Sequence, residues 1–315
     1  MTAQLDTTAV VLERPEKVKL DRLTLPPVGE DEIVVDIAWS GISTGTEKLL
    51  WSGRMPHFPG MGYPLVPGYE SVGHVREAGP NSGRQPGEMV FVPGARCYGE
   101  VRGLFGGAAS RVVVPGNRVA PIPETLGEQG ILLALAATAY HALVMRAGEE
   151  RTLIVGHGVL GRLLVRLSTE LDTGPPVVWE TNADRATGAT GYEVVHPDSD
   201  DRKDYATIFD VSGDPNLLDT LIARLTPRGE VILAGFYSER LSFAFPPAFM
   251  REATIKIAAE WKPDDLTAVC GLIEAGRLNL DGLISHRETA ARADEAYQTA
   301  FNDPACLKMI LDWRA

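Results

Sequence analysis

Three glycines and one acid have the types and spacing to hold a dinucleotide. Gly156, Gly158 and Gly161 form G-x-G-x-x-G directly after the apolar run Leu153-Ile154-Val155. Leu160, Leu163, Leu164 and Leu167 follow at helical spacing, so the glycines sit where a strand turns into a helix. In such a turn the first glycine bends the chain and the second admits a pyrophosphate to the backbone. The third lets helix pack on strand. The backbone N–H groups of Gly158, Val159, Leu160 and Gly161 then face the phosphates, with the positive end of the helix dipole behind them. A second apolar run, Pro176-Val177-Val178-Trp179, ends at Glu180. An acid about twenty residues past such glycines binds ribose hydroxyls. Its carboxylate would repel a 2′-phosphate, so NAD is expected rather than NADP. Arg185, close behind, is the residue that argues the other way.

Other reactive side chains each have two readings. His57 lies between Arg54 and Phe58 in a Gly/Pro-rich loop; it is a proton acceptor near neutral pH or an exposed loop residue. His74 and His141 read as structural. At His157, inside the glycine turn, the backbone is expected to matter more than the ring. Cys97, Cys270 and Cys306 are scattered, with no C-x-x-C and no disulfide framework, which fits packing residues in a reducing cytoplasm. The acidic run 197–204 reads as a solvated loop.

These residues need elements to position them. Residues 9–120 read as short strands broken by Gly and Pro, with candidates at 9–12, 32–38, 71–75, 89–92 and 110–114. From about residue 121 the pattern changes to an alanine-rich helix at 130–144 and then βα alternation. Strands at 205–211 and 230–234 end at Ser212 and at Gly235-Phe236. Such alternation implies a parallel sheet covered on both faces, with ligand at the carboxyl ends of its strands. Gly156, Glu180, Ser212 and Gly235 should therefore line one crevice. Helices at 264–275 and 290–301 precede a last strand at 307–312, which has no following helix and is expected to join a different sheet. The fold class is α/β, a doubly wound parallel sheet plus a β-rich domain.

Composition bounds the function. The chain has 315 residues, 44% hydrophobic and 23% charged, enough for two cores. The net charge of −12 argues against nucleic acid and anionic membrane surfaces. No apolar run approaches a membrane span, so no membrane insertion is expected. Residues 1–7 read as neither signal nor transit peptide.

The order of β-rich domain, dinucleotide unit and short return segment resembles the medium-chain dehydrogenase/reductase superfamily. Ser40-Gly-Ile-Ser-Thr-Gly-Thr46-Glu47, Pro67-Gly-Tyr69-Glu70-Ser-Val-Gly73, Thr138-Ala-Tyr-His141, the glycine motif and Leu283-Ile-Ser-His286 carry the resemblance. It implies a GroES-like catalytic domain over 1–122, an NAD-binding Rossmann domain over 123–262 and a returning segment over 263–315. It adds Thr138 and Phe236 to the cofactor-binding candidates. The run Phe58-Pro-Gly-Met61-Gly-Tyr63-Pro-Leu-Val-Pro-Gly-Tyr69-Glu70 resembles the bacteriochlorophyll-biosynthesis branch of that superfamily. The activity this implies is NAD-dependent oxidation of the 3-(1-hydroxyethyl) group of a (bacterio)chlorophyllide to 3-acetyl. A homodimer is compatible with it.

Where the zinc members of the superfamily have a Cys, a His and a third ligand, this chain has Thr44, Tyr69 and a position near Ala134. These cannot build a tetrahedral N/S site, so no metal is expected. Thr46 matches the family's proton-relaying hydroxyl, or it caps the short helix that follows. Tyr69 is a phenol able to donate to the substrate oxygen, or a packing aromatic. Thr44 and His57 complete the catalytic candidates. Arg54, Phe58, Met61 and Tyr63 are the substrate candidates. Aromatic side chains, with Trp39, Trp51, Met55 and Leu65 among their neighbours, either stack on a macrocycle or form the domain's own core. Arg54, with Lys48 second, is the candidate partner for a propionate. Two rivals remain open: a zinc-free NAD(P)H quinone or enoyl reductase of the same superfamily, and a nucleotide-binding protein that has lost catalysis.

Overall fold

The computed structural model describes residues 4–148, 151–171 and 174–314. Residues 1–3 of the N-terminal stretch read above lie outside them. Contacts divide the chain into two compact units, residues 1–134 with 280–315, and residues 135–279.

The first unit is built from β-branched strands with few helices. A seven-stranded sheet runs in the order His286–Thr289, Met309–Asp312, Glu32–Ile42, Ser71–Ala78, Met89–Val92 and Ala120–Pro121, with Arg111–Pro115 paired to Glu32–Ile42. The last strand, Met309–Asp312, pairs antiparallel with Glu32–Ile42, so the C-terminal chain does join the sheet of the β-rich region. A four-stranded sheet holds Lys17–Thr24, Asp6–Arg14, Leu65–Val66 and Arg102–Gly103. One core gathers Ile33, Val35, Val90, Val112 and Val114. A second gathers Leu12, Ile42, Leu50, Trp51, Met55, Leu65, Tyr297 and Phe301. Burying that much apolar side chain is the main stabilising term.

The second unit is the dinucleotide fold. Its sheet runs Glu193–Val195, Val177–Trp179, Thr152–Val155, Tyr205–Asp210, Leu225–Leu233 and Thr254–Ile257, and every pairing is parallel. The chain leaves Thr152–Val155 in one direction and returns on its other side at Tyr205–Asp210. That reversal is the switch point where α/β folds bind ligands. The helix Pro263–Glu274 belongs to this unit, while residues 280–315 belong to the first.

The acidic run 197–204 is corrected by the structure. Asp200 is 1% exposed. It accepts from Trp179 Nε1 at 2.7 Å, Tyr205 OH at 2.6 Å and Arg202 Nε at 2.6 Å. Burial opposes its ionisation, yet these bonds hold it down at about 2. A charge pattern alone does not show which carboxylate turns inward. Among the described residues no helix is long and apolar enough to cross a membrane.

Candidate active site

Each unit holds one part of the chemistry. In the second, Thr152–Val155 ends at Gly156, whose φ of +109° suits glycine. Gly158 caps the helix Val159–Glu170, and Leu163, Leu164 and Leu167 bury its inner face completely. A Cβ on Gly161 would come 1.9 Å from the Gly156 carbonyl oxygen, so only glycine lets this helix close on its strand. A Cβ on Gly158 would meet nothing within 4 Å. Packing therefore leaves space at Gly158, at the positive end of the helix, where a pyrophosphate would sit. The residues fit a dinucleotide.

Glu180 is held by backbone groups. Its Oε2 accepts from His157 N at 3.0 Å, and its Oε1 accepts from Thr181 N at 2.9 Å and Asn182 N at 2.8 Å. The carboxylate is thus fixed beside the glycine turn, and Oε2 retains acceptor capacity for a ribose hydroxyl.

The His157 ring does more than its place in the turn suggests. It is fully buried, with Nδ1 2.6 Å from the Arg185 carbonyl oxygen and Nε2 2.6 Å from Tyr192 OH. Burial, helped by the Arg162 charge, pushes its pKa down and favours the neutral ring. Arg162 adds bonds to the carbonyls of His157, Arg185 and Thr187. The loop carrying Arg185 is therefore tied to the glycine turn through main-chain atoms.

Beyond the switch point, Ser212 donates through Oγ and N to Asp210 Oδ1, at 2.7 and 2.9 Å. Gly235 N donates to the Asp210 carbonyl oxygen, and Phe236 stands 49% exposed. Thr138 is half-buried on the helix Leu133–Val144.

The first unit holds the hydroxyl groups. Ser43 Oγ lies 2.7 Å from Tyr69 OH, and the Thr46 hydroxyl is close enough to oppose the rise in that phenol's pKa. Tyr69 is half-buried, its ring edge-on to Phe105 at 5.5 Å. Burial and the Glu70 charge push the phenol well up, so it is neutral at ordinary pH. Thr46 is the first helical residue of Thr46–Ser52; the N-cap is Gly45, without a side-chain cap bond, so the capping role is excluded. The hydroxyl meeting Tyr69 is that of Ser43, one residue before Thr44. Sequence reasoning aligned Thr44 with the missing ligand and passed over Ser43, because spacing cannot say which of two adjacent hydroxyls turns inward.

Beneath this cluster lie two buried carboxylates whose partners sequence reading did not foresee. Glu70 is fully buried and pairs with Lys308 Nζ at 2.6 Å, and Lys308 is 1% exposed. Removing either partner leaves a buried charge, worth about 3–5 kcal/mol. Glu47, also fully buried, accepts from Ser43 N at 3.0 Å and Tyr297 OH at 2.7 Å. Burial pushes its carboxyl up to about 7.

His57 and Arg54 are exposed, with Arg54 Nε 3.3 Å from Ser52 Oγ, and Lys48 Nζ donates to the Phe301 carbonyl at 2.7 Å. Trp51, Met55 and Leu65 are core residues; Phe58, Met61 and Tyr63 pack against that core and stay partly exposed. Trp39 lies under Arg314, at 4.1 Å from its centroid. Among the described residues no group of three or more His, Cys, Asp or Glu is arranged to hold a metal.

With this geometry in place, similarity to known proteins narrows the function. Residues 29–124 match the alcohol dehydrogenase GroES-like domain. The chain is 56% identical to the 2-desacetyl-2-hydroxyethyl bacteriochlorophyllide A dehydrogenase of Rhodobacter capsulatus, over 98% of this chain and 99% of that one. Its identity to the enzyme of the same name from Cereibacter sphaeroides is 55%, over 98% and 99%. The fold matches L-idonate 5-dehydrogenase from Escherichia coli with a TM-score of 0.86 at 18% identity, covering 98% of this chain and 99% of that one.

Proposed function

The chain belongs to the 2-desacetyl-2-hydroxyethyl bacteriochlorophyllide A dehydrogenase family, within the medium-chain dehydrogenase/reductases, and from that premise we propose that it oxidises the 3-(1-hydroxyethyl) group of a (bacterio)chlorophyllide to 3-acetyl with NAD. The observation that carries this is 56% identity over nearly the whole chain. It favours a secondary-alcohol dehydrogenase over a quinone reductase or an inactive binder.

The residues supply binding, orientation and proton handling. The backbone of 156–161 receives the pyrophosphate and Glu180 the adenosine ribose, with Arg185, Thr138, Ser212, Gly235 and Phe236 along the same cofactor surface. Held there, NAD would supply the hydride acceptor for the carbinol carbon. Tyr69 meets the hydroxyl oxygen of the substrate. As the hydride departs, the hydroxyl proton passes to the phenol oxygen, the phenol proton passes to Thr46, and a proton leaves to water. Phe58, Met61 and Tyr63 offer partly exposed apolar surface to the macrocycle, and Arg54 offers an exposed guanidinium to a propionate. His57 is an exposed imidazole on the same loop. The proposed compartment is cytoplasmic.

The test is turnover with each cofactor. The wild type is expected to reduce NAD⁺ in preference to NADP⁺ when given the hydroxyethyl bacteriochlorophyllide, and Glu180→Ala to weaken NAD⁺ about tenfold and narrow the gap. A wild type preferring NADP⁺ would overturn the role of Glu180.

A further inference from the structure

Ser43 is a buried hydroxyl with two fixed bonds and no assigned task. It is 5% exposed, its backbone N donates to Glu47 Oε1 at 3.0 Å, and its Oγ lies 2.7 Å from Tyr69 OH. Glu47 itself is held by Tyr297, so Ser43 is anchored to a rigid base. Tyr69 also packs against the edge-on ring of Phe105.

A phenol has one proton to give and an oxygen that accepts. A neutral phenol whose own proton leaves ahead of the one it receives carries negative charge on its oxygen in between. Near Glu70, in a partly desolvated place, that charge is unfavourable unless a donor points at it. We propose that Ser43 is a positioning residue for the reaction: its Oγ–H donates to the phenolic oxygen of Tyr69, fixing that oxygen and supporting the charge that builds on it during proton transfer. The proposal rests on the role given to Tyr69 above. Thr46 carries the proton outward, whereas Ser43 keeps its own. Burial and the Glu70 charge push the phenol up, and the hydroxyls of Ser43 and Thr46 act against that shift.

The test uses the full-length protein with tyrosine labelled with ¹³C at Cζ, the Tyr69 resonance being assigned by its loss in Tyr69→Phe. Ser43→Ala is expected to move that resonance in the free protein. In kinetics Ser43→Ala should lower kcat about tenfold, leave KM for NAD⁺ unchanged and shift the pH profile of kcat upward. Ser43→Cys, a weaker donor of similar size, should fall between wild type and Ala. Added to Tyr69→Phe, Ser43→Ala should cost nothing further, because the two act as a unit. An unmoved resonance, an unchanged pH profile, or losses that simply add would overturn the proposal. A wild type inactive on the hydroxyethyl chlorin would overturn the proposed function instead, and with it the task assigned to Ser43.

Discussion

At the scale of single residues, Glu47 shows how burial becomes a measurable pH dependence. Its carboxyl has no exposed surface, and desolvation, with Glu70 nearby, outweighs the bonds from Tyr297 and Ser43 and lifts it to about 7. The unfolded chain releases that proton at about 4.3. A folded pKa above the unfolded one means that the folded state holds the proton more tightly. The stability this contributes is present below the unfolded value and is lost as pH rises toward 7. Glu47→Gln keeps the shape without the titration. Urea unfolding at pH 5 and pH 8 should show the variant gaining on the wild type by on the order of 3 kcal/mol. Parallel curves for the two proteins would show that Glu47 does not titrate there. The sequence places Glu47 after Thr46 and suggests a charge helping a helix dipole. It does not show that Tyr297, 250 positions away, closes over it. Lys308 is hidden in the same way, 238 positions from Glu70. Pairs this distant leave no local pattern, whereas the role proposed for Glu180 comes from a local one, about twenty residues of strand and helix that fix its distance from the glycines.

At the scale of elements, the turn from Thr152–Val155 into Val159–Glu170 separates what the fold needs from what a ligand needs. Gly161 is required by packing, since an added Cβ meets the Gly156 carbonyl at 1.9 Å. Gly158 has open space around an added Cβ and a φ of −72° that any residue adopts. Gly161→Ala should therefore lower Tm by several degrees, whereas Gly158→Ala should leave Tm within about a degree and raise the Kd for NAD⁺ about tenfold or more. Calorimetry and a cofactor titration on both variants check this. Equal effects on Tm would contradict the division. This turn was readable because period and glycine spacing coincide. The strands Lys17–Thr24, Glu193–Val195 and Thr254–Ile257 escaped notice for the opposite reason. They are short or edge-lying and expose much of their length, so no apolar alternation marks them. The helix Phe245–Arg251 escaped too, its prolines at 246 and 247 reading as a break although they sit in the first turn.

At the scale of the whole molecule, the fold class followed from the change of period along the chain: alternation and turns first, βα repeats next, a lone strand last. The branch point between chemistries is set by what stands where a metal would be held. Ser43, Thr46 and Tyr69 form a hydroxyl cluster, backed by a buried Glu70–Lys308 pair. In the proposed reaction such a cluster handles protons and leaves the redox step to the cofactor. The central claim is direct hydride transfer from the side-chain carbinol to the nicotinamide. It is tested by supplying the hydroxyethyl bacteriochlorophyllide with deuterium at the carbinol carbon, together with NAD⁺, and analysing both products by mass spectrometry. Equal amounts of 3-acetyl product and singly deuterated NADH are the expected result. Acetyl product with unlabelled NADH, or no product at all, would contradict it.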